Sequence, residues 1–316
     1  MATLTKRERV QAALRGEVVD RPPVCFWHHF RPHGSGHRLA ELTYDFFVRR
    51  FDLDIVKLMP DLRYPFPRRA VVELDDWYLI DAIDMRRSRY AQEWVRAVRH
   101  LRELVGPDVP IVVTVFSPLT QAMYAAARPE LVLEHAAEHP ALLHQVLALL
   151  AENIRAHLEL VLAAGADGIF FALQGCTAAT MPVERYREFG RPYDLLALAG
   201  AADGWLNILH VHGDRELFFD DVLDYPVHAL SWSDRRAGPS LHEARQRTEK
   251  CLMGGWDEFG ALVSGPVEAI RAEALDALQQ TGGRKFILAN GCSVPDETDE
   301  RWLTAARHIV EELRTA

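Results

Sequence analysis

The sequence predicts an α/β protein built as a (β/α)8 TIM barrel with an insertion after the second strand, on three observations. Eight short apolar runs each end in polar residues, helical patterns separate most of them, and 316 residues is a fitting length for such a barrel. Near-continuous apolar strands are buried on both faces, which a parallel sheet covered by helices provides. An open doubly wound sheet is the competing arrangement, but no GxGxxG follows any run. The whole of residues 1–316 is read as one barrel.

The elements follow in order. The N-terminal MATLTKRERVQAALRGE is helical in pattern and precedes the first run, VCFWHHF, Val24 to Phe30. A helix spans about Leu39 to Phe51, and the second run is DIVKLMPD, Asp54 to Asp61. The insertion, Tyr64 to Met85, reads as a small hairpin or lid near one rim. Helix resumes over about Tyr90 to Val105 and leads into PIVVTVFS, Pro110 to Ser117. The longest helical pattern, about Pro140 to Ala164, closes on AAGADG, a stop that feeds DGIFFALQG, Asp167 to Gly175. Another helix, about Val183 to Ala199, precedes GWLNILHVHG, Gly204 to Gly213. VHALSWSD (Val227 to Asp234) and KCLMGGWDE (Lys250 to Glu258) come next, then a helix over about Pro266 to Gln280. KFILANGC, Lys285 to Cys292, is the eighth run. A last helix begins near Asp296, with Asp299 available for its first turn.

The net charge of −9 argues against nucleic acid or an anionic membrane as partner. The N-terminus carries no apolar h-region, and no stretch is apolar for the roughly 18 residues of a membrane span. The four cysteines are widely spaced and form no CxxC pair, a pattern that suits a reducing cytoplasm with thiols free for chemistry.

In a barrel of this kind the reactive groups gather at the C-terminal ends of the strands. There the stretch LHVHGD places His210 and His212 at i and i+2, so both imidazoles point to the same face. Their backbones are about 6 to 7 Å apart, a separation that two ligands of one metal can span. The eighth run ends in NGC and brings the thiol of Cys292 to the same rim. Two neutral imidazoles and a thiolate form a workable zinc set with a fourth position for water or substrate, and such a metal can hold a nucleophilic thiolate at neutral pH.

Other strand ends supply further candidates. His28 and His29 close the first strand, so one faces the mouth as a base, hydrogen bonder or ligand while the other faces away. Asp234, Asp257 and Asn290 end the sixth, seventh and eighth runs. A carboxylate there can orient a ligating imidazole or take a substrate proton, though both aspartates also suit helix N-caps. Trp232 and Trp256 offer flat walls, Gln174 and Cys176 end the fourth strand, and Arg31 can grip an acid group bidentately.

These stretches resemble the uroporphyrinogen decarboxylase superfamily. The likeness rests on RGEVVDRPPVCFW, FSPLTQAMY, AGADGIFF, FGRPYDLLAL, HVHGD, LSWSD and ILANGCSVPDETD, in that order along nearly the whole chain. The resemblance implies the same barrel and two kinds of chemistry. The metal-independent decarboxylase of the superfamily grips substrate carboxylates with an RQAGR loop after the first strand. Here that place reads HHFRPHGSGH and keeps only Arg31, while Asp61 is the nearest counterpart of the decarboxylase's aspartate. The other branch holds zinc-dependent methyltransferases of the methylcobalamin:coenzyme M type, with a His-x-Cys at the fifth strand and a Cys at the eighth. On that pattern His210 and Cys292 keep their places and His212 stands where the first Cys falls.

The expectation is therefore a zinc-dependent methyltransferase that activates a small thiol or related nucleophile, with a corrinoid, carried by a corrinoid protein, as methyl donor. Its ligands are His210, His212 and Cys292. Asp234, His28, His29 and Asp61 are the acid–base candidates, and Arg31, Trp232, Gln174 and Asn290 the substrate-binding ones. The alternatives are a metal-independent decarboxylase or lyase, and a barrel that binds a corrinoid or tetrapyrrole without catalysis.

Overall fold

The computed structural model describes residues 3–30 and 34–313. Eight parallel strands form a nearly closed barrel: β1 (Val24–Cys25), β2 (Val56–Leu58), β3 (Ile111–Phe116), β4 (Gly168–Leu173), β5 (Ile208–Val211), β6 (Ala229–Trp232), β7 (Cys251–Trp256) and β8 (Phe286–Asn290). Their order around the sheet is β1-β8-β7-β6-β5-β4-β3-β2. The seam between β1 and β2 is stitched by Asp54, whose backbone N donates to Val24 O at 3.0 Å and whose Oδ2 accepts from Val24 N at 2.9 Å. Each of the eight predicted runs contains one strand shorter than the run, at both ends for all but β1, which starts at Val24 as predicted, because the polar tails turn into loops at the rims.

The helices wrap the sheet as α1 (Lys6–Arg15), α2 (Gly36–Tyr44), α3 (Arg89–Val105), α4 (Pro118–Ala125), α5 (Leu131–Glu138), α6 (Pro140–Ala163), α7 (Val183–Phe189), α8 (Arg191–Leu198), α9 (Leu241–Arg245), α10 (Ala261–Ser264), α11 (Val267–Thr281) and α12 (Glu300–Glu312). α1 starts at a reciprocal cap in which Thr5 and Glu8 each accept from the other's backbone, satisfying donors a helix start otherwise leaves unpaired. α2 runs on into a π-helical turn, Asp45–Arg50, so the predicted helix there is two geometries in sequence. The pattern read as one helix over Val183 to Ala199 is broken at Gly190. A Cβ there would lie 2.6 Å from the Tyr186 ring, and Pro192 opens the next helix. The four short helices α4, α5, α9 and α10 carry too few turns for periodicity to reveal them.

The insertion after β2 is not a hairpin among the described residues. It contains a 3-10 helix, Leu74–Leu79, and a single bridge from Val71 to Ala126. Trp77 is its anchor, buried with its Nε1 donating to His135 Nδ1 at 2.9 Å. One buried indole gains more from the groove beside α5 than two short strands gain from pairing with each other. Among the described residues, no helix is long and apolar enough to cross a membrane.

Candidate functional site

β5 and β8 deliver the candidate ligands. His210 pairs with Ser231 of β6 and Ala172 of β4, its side chain lines the cavity inside the barrel, and His212 lies two residues further toward the mouth. Cys292 follows the end of β8 on a turn held by Asn290, whose Nδ2 donates to the carbonyl oxygens of Trp27 and Cys292. One donor atom from each of His210, His212 and Cys292 lies within 4.8 Å of the others, and Cys292 Sγ is 3.5 Å from His212 Nδ1. His210 Nδ1 lies 3.3 Å from Ser231 Oγ, and its ring stacks on Phe170 at 5.2 Å. Two groups thus orient this imidazole from its other side, as ligating histidines require.

Electrostatics favour the ligating form of the histidines. Burial lowers the proton affinity of both, and for His210 the neighbouring His212 and Lys57 lower it further. Burial also raises the Cys292 thiol, so without a cation beside it the sulfur keeps its proton. Neutral nitrogens and a thiol that loses its proton only to a cation suit zinc, whose ligand chemistry tolerates N and S together.

Two cavities meet at the triad. The inner one, about 250 Å³, lies inside the barrel and is walled by Trp27, Met59, Phe116 and Phe170 together with Lys57, Thr114 and His29. The outer one, about 400 Å³, opens at the mouth beside Thr177, Asp214, Ser233, Glu258 and Phe259. His212, Cys292 and Gln174 border both. His29 faces the inner cavity and its Nδ1 is 2.6 Å from Asp61 Oδ1, while Asp61 Oδ2 accepts from Phe30 N at 2.8 Å. This dyad leaves His29 Nε2 free to exchange a proton with a ligand. The hydrogen bond from His29 and the Phe30 amide outweigh burial and hold the Asp61 carboxyl below its ordinary range.

With this geometry in place, the chain can be set beside known proteins. The uroporphyrinogen decarboxylase (URO-D) family model matches residues 55–313. The chain belongs to the uroporphyrinogen decarboxylase family. It is 27% identical over 350 residues to the methylcobamide:CoM methyltransferase MtaA of Methanosarcina barkeri, spanning 97% of this chain and 98% of that protein. It is 24% identical over 346 residues to the uroporphyrinogen decarboxylase of Trichodesmium erythraeum, spanning 95% and 94%. Among solved structures, a methyltransferase from Methanosarcina mazei matches with a TM-score of 0.80 at 24% identity, covering 98% of this chain and 99% of that one. A B12-independent methionine synthase from Shewanella sp. matches with a TM-score of 0.63 at 14% identity, covering 92% and 94%. These solved structures share the fold.

For a member of this family, the other expected site residues divide sharply. Gln174 and His29, the latter with Asp61 behind it, stand at the cavities. Asp234 does not: its Oδ1 accepts from Gly255 N at 2.9 Å, clamping β6 to β7 outside both cavities. Burial raises its carboxyl to about 7, which is the cost of that clamp and not a sign of contact with substrate. Trp232 turns outward, donating from Nε1 to Pro239 O at 2.8 Å and packing on Phe219. Asn290 acts through the Cys292 turn and lines neither cavity. His28 is the outward member of its pair, set among Phe30 and Phe46. Cys176 is buried under Phe218, its thiol facing that residue's carbonyl oxygen. Arg31 lies outside the described residues.

Sequence reading missed Lys57, Thr114 and Glu258. Lys57 is 2% exposed, and its Nζ sits over the Trp27 and Phe170 rings at 5.0 and 4.3 Å. Its hydrogen-bond partner is the Met59 sulfur at 3.0 Å. Burial pulls the ammonium from 10.5 down to about 7. The signal was present: a lysine in the middle of DIVKLMP has no water to reach if that run is a barrel strand. Glu258, beside the Asp257 singled out from sequence, is the member of that pair that turns in. Its Oε1 accepts from Ser233 Oγ at 2.5 Å, and its buried Oε2 has no partner.

Proposed function

We propose that this protein is a zinc-dependent methyltransferase that passes a methyl group from a corrinoid to a small thiol or related nucleophile. The observation that carries the reading is the convergence of His210, His212 and Cys292, within 4.8 Å of one another, where two cavities meet. His210, His212 and Cys292 would hold the metal. When bound, zinc supplies a Lewis acid that keeps an acceptor thiol deprotonated at neutral pH.

The chain's own residues do the rest. His29, oriented by Asp61, stands at the inner cavity to take the thiol proton at Nε2. Trp27, Met59, Phe116 and Phe170 give the acceptor an apolar wall to pack against. The outer cavity, larger and open to the mouth, is where the methyl carrier approaches, its leaving group departing with the electron pair of the bond it loses. The family relationship to methylcobamide:CoM methyltransferases supports this reading. A nitrogen at His212, where the methyltransferase pattern has a cysteine sulfur, would leave the metal less electron-rich and a stronger Lewis acid.

The test is metal analysis of protein purified without an affinity tag, followed by methyl transfer from methylcobalamin to a thiol panel. About one zinc per chain is expected, lost in His210→Ala and in Cys292→Ser, together with the transfer. Metal-free protein that decarboxylates a porphyrinogen would sink the proposal in favour of the decarboxylase branch. Tetrapyrrole binding without turnover of any donor and acceptor would sink it in favour of a binding role.

A further inference from the structure

Two polar side chains on adjacent strands face the inner cavity without proper partners. Lys57 on β2 carries three N–H donors when charged and is paired with one thioether sulfur, a weak acceptor. Thr114 on β3 is 4% exposed, and its Oγ1 has no hydrogen-bond partner. The β2–β3 register pairs Lys57 with Val112, which puts both side chains on the inward face of neighbouring strands, and both line the same cavity. A buried, unsatisfied donor is destabilising unless something enters to accept from it. Two such donors side by side, on the β2–β3 side of a 250 Å³ space whose nearest rings are Trp27, Phe116 and Phe170, amount to a built acceptor-binding floor. The volume is below the roughly 300–1,000 Å³ of pockets that take drug-sized molecules, so the ligand is small.

We infer that Lys57 and Thr114 form a carboxylate-binding subsite, so that the substrate of the inner cavity is a small acid whose far end reaches the triad. A carboxylate presents two oxygens with about four acceptor directions, and an ammionium and a hydroxyl can each take one oxygen. Lys57 and Thr114 match the two oxygens of a carboxylate one to one, whereas the third oxygen of a sulfonate must find its donor elsewhere on the wall. Arrival of the anion also restores the charge-assisted hydrogen bonds that the Met59 sulfur cannot supply. The inference deepens the methyltransferase reading, making the acceptor a small thiol acid, but only its sulfur end rests on that reading. The acid end rests on Lys57 and Thr114 alone.

Calorimetric titration separates the two ends. Full-length protein, loaded with zinc, is titrated with mercaptopropionate, its amide and mercaptoethanesulfonate; the metal-free protein is titrated with butyrate and butyramide. The acid is expected to bind at least about tenfold more tightly than the amide in both series, the loss typical of one buried charge-assisted hydrogen bond. The preference should vanish in Lys57→Met and shrink several-fold in Thr114→Val, with the zinc content of both variants unchanged. Equal binding of acid and amide, a preference that survives Lys57→Met, or a sulfonate that outbinds the carboxylate overturns the inference. If the protein takes no zinc yet butyrate still outbinds butyramide, the metal reading fails and the subsite stands. Thr114→Val is near-isosteric and keeps the question decidable if Lys57→Met does not fold.

Discussion

Asp54 and Lys57 lie three residues apart in one run of sequence, both buried, and their surroundings could hardly differ more. Asp54 sits at the bottom of the barrel, where Arg9 Nη1 reaches its Oδ1 at 2.7 Å and Arg21 Nη1 its Oδ2 at 2.6 Å. With the Val24 amide at 2.9 Å, its charge is fully answered. Lys57 sits at the inner cavity with a thioether for company. A buried charge that is fully paired holds a fold together, while one left short of partners has a use that outweighs its cost. The second run thus carries a fully paired charge at the N-terminal rim of the barrel and an under-partnered one at the inner cavity.

The comparison breaks most directly at the paired end. Asp54→Ala takes from buried Arg21 its nearest carboxylate, leaves Arg9 with Asp20 alone and unstitches the β1–β2 seam, so a loss of about 3–5 kcal/mol of stability is expected, measured by urea denaturation. A loss under about 1 kcal/mol would mean that the seam closes without its carboxylate. At the unpaired end the sign reverses. Lys57→Met swaps an under-partnered amine for a side chain of similar length, and stability should rise by on the order of 2 kcal/mol at pH 7. The sign of the pH dependence follows from the lysine being 10.5 unfolded and about 7 folded. Between those values the unfolded chain binds the proton and the native one does not, so wild-type stability climbs with pH. The gain from Lys57→Met should therefore be full below about pH 7 and fade toward pH 10.5. A variant less stable than wild type across that range would show that the lysine is a structural strut.

The same contrast explains what could be read in the sequence. Asp54 and His210 each sit in an apolar run whose strand character is plain, so the barrel, its order of elements and the convergence of His210, His212 and Cys292 at one rim are legible in the sequence. Strand alternation also foresaw that one of His28 and His29 would face in. What was not legible is which polar residue at a strand end turns inward, because a one-residue difference reverses the face. Asp234 and Asn290 look like site residues by position, and the chain after each strand turns them to hold neighbouring backbone. Glu258, passed over for Asp257, turns in for the same reason. Lysine is ordinarily solvated, a rule that fails for Lys57 inside a barrel strand. The insertion failed differently, since one buried tryptophan decided its shape and periodicity carries no record of that.

The finest test of the contrast uses one chemical change at two places. Thr281, at the end of α11, is buried like Thr114, but its Oγ1 donates to Ala277 O at 2.9 Å. Replacing threonine by valine keeps the shape and removes the hydroxyl. At Thr281 the change deletes a made hydrogen bond and should cost about 1 kcal/mol, read as a shift in the denaturation midpoint at constant slope. At Thr114 the hydroxyl has no partner to lose, so Thr114→Val should be neutral or slightly stabilising while weakening acid binding in the cavity. Equal costs at the two sites would mean that Thr114 is satisfied in solution, by water or by a neighbour, and that the inner cavity holds no polar group in reserve for a ligand.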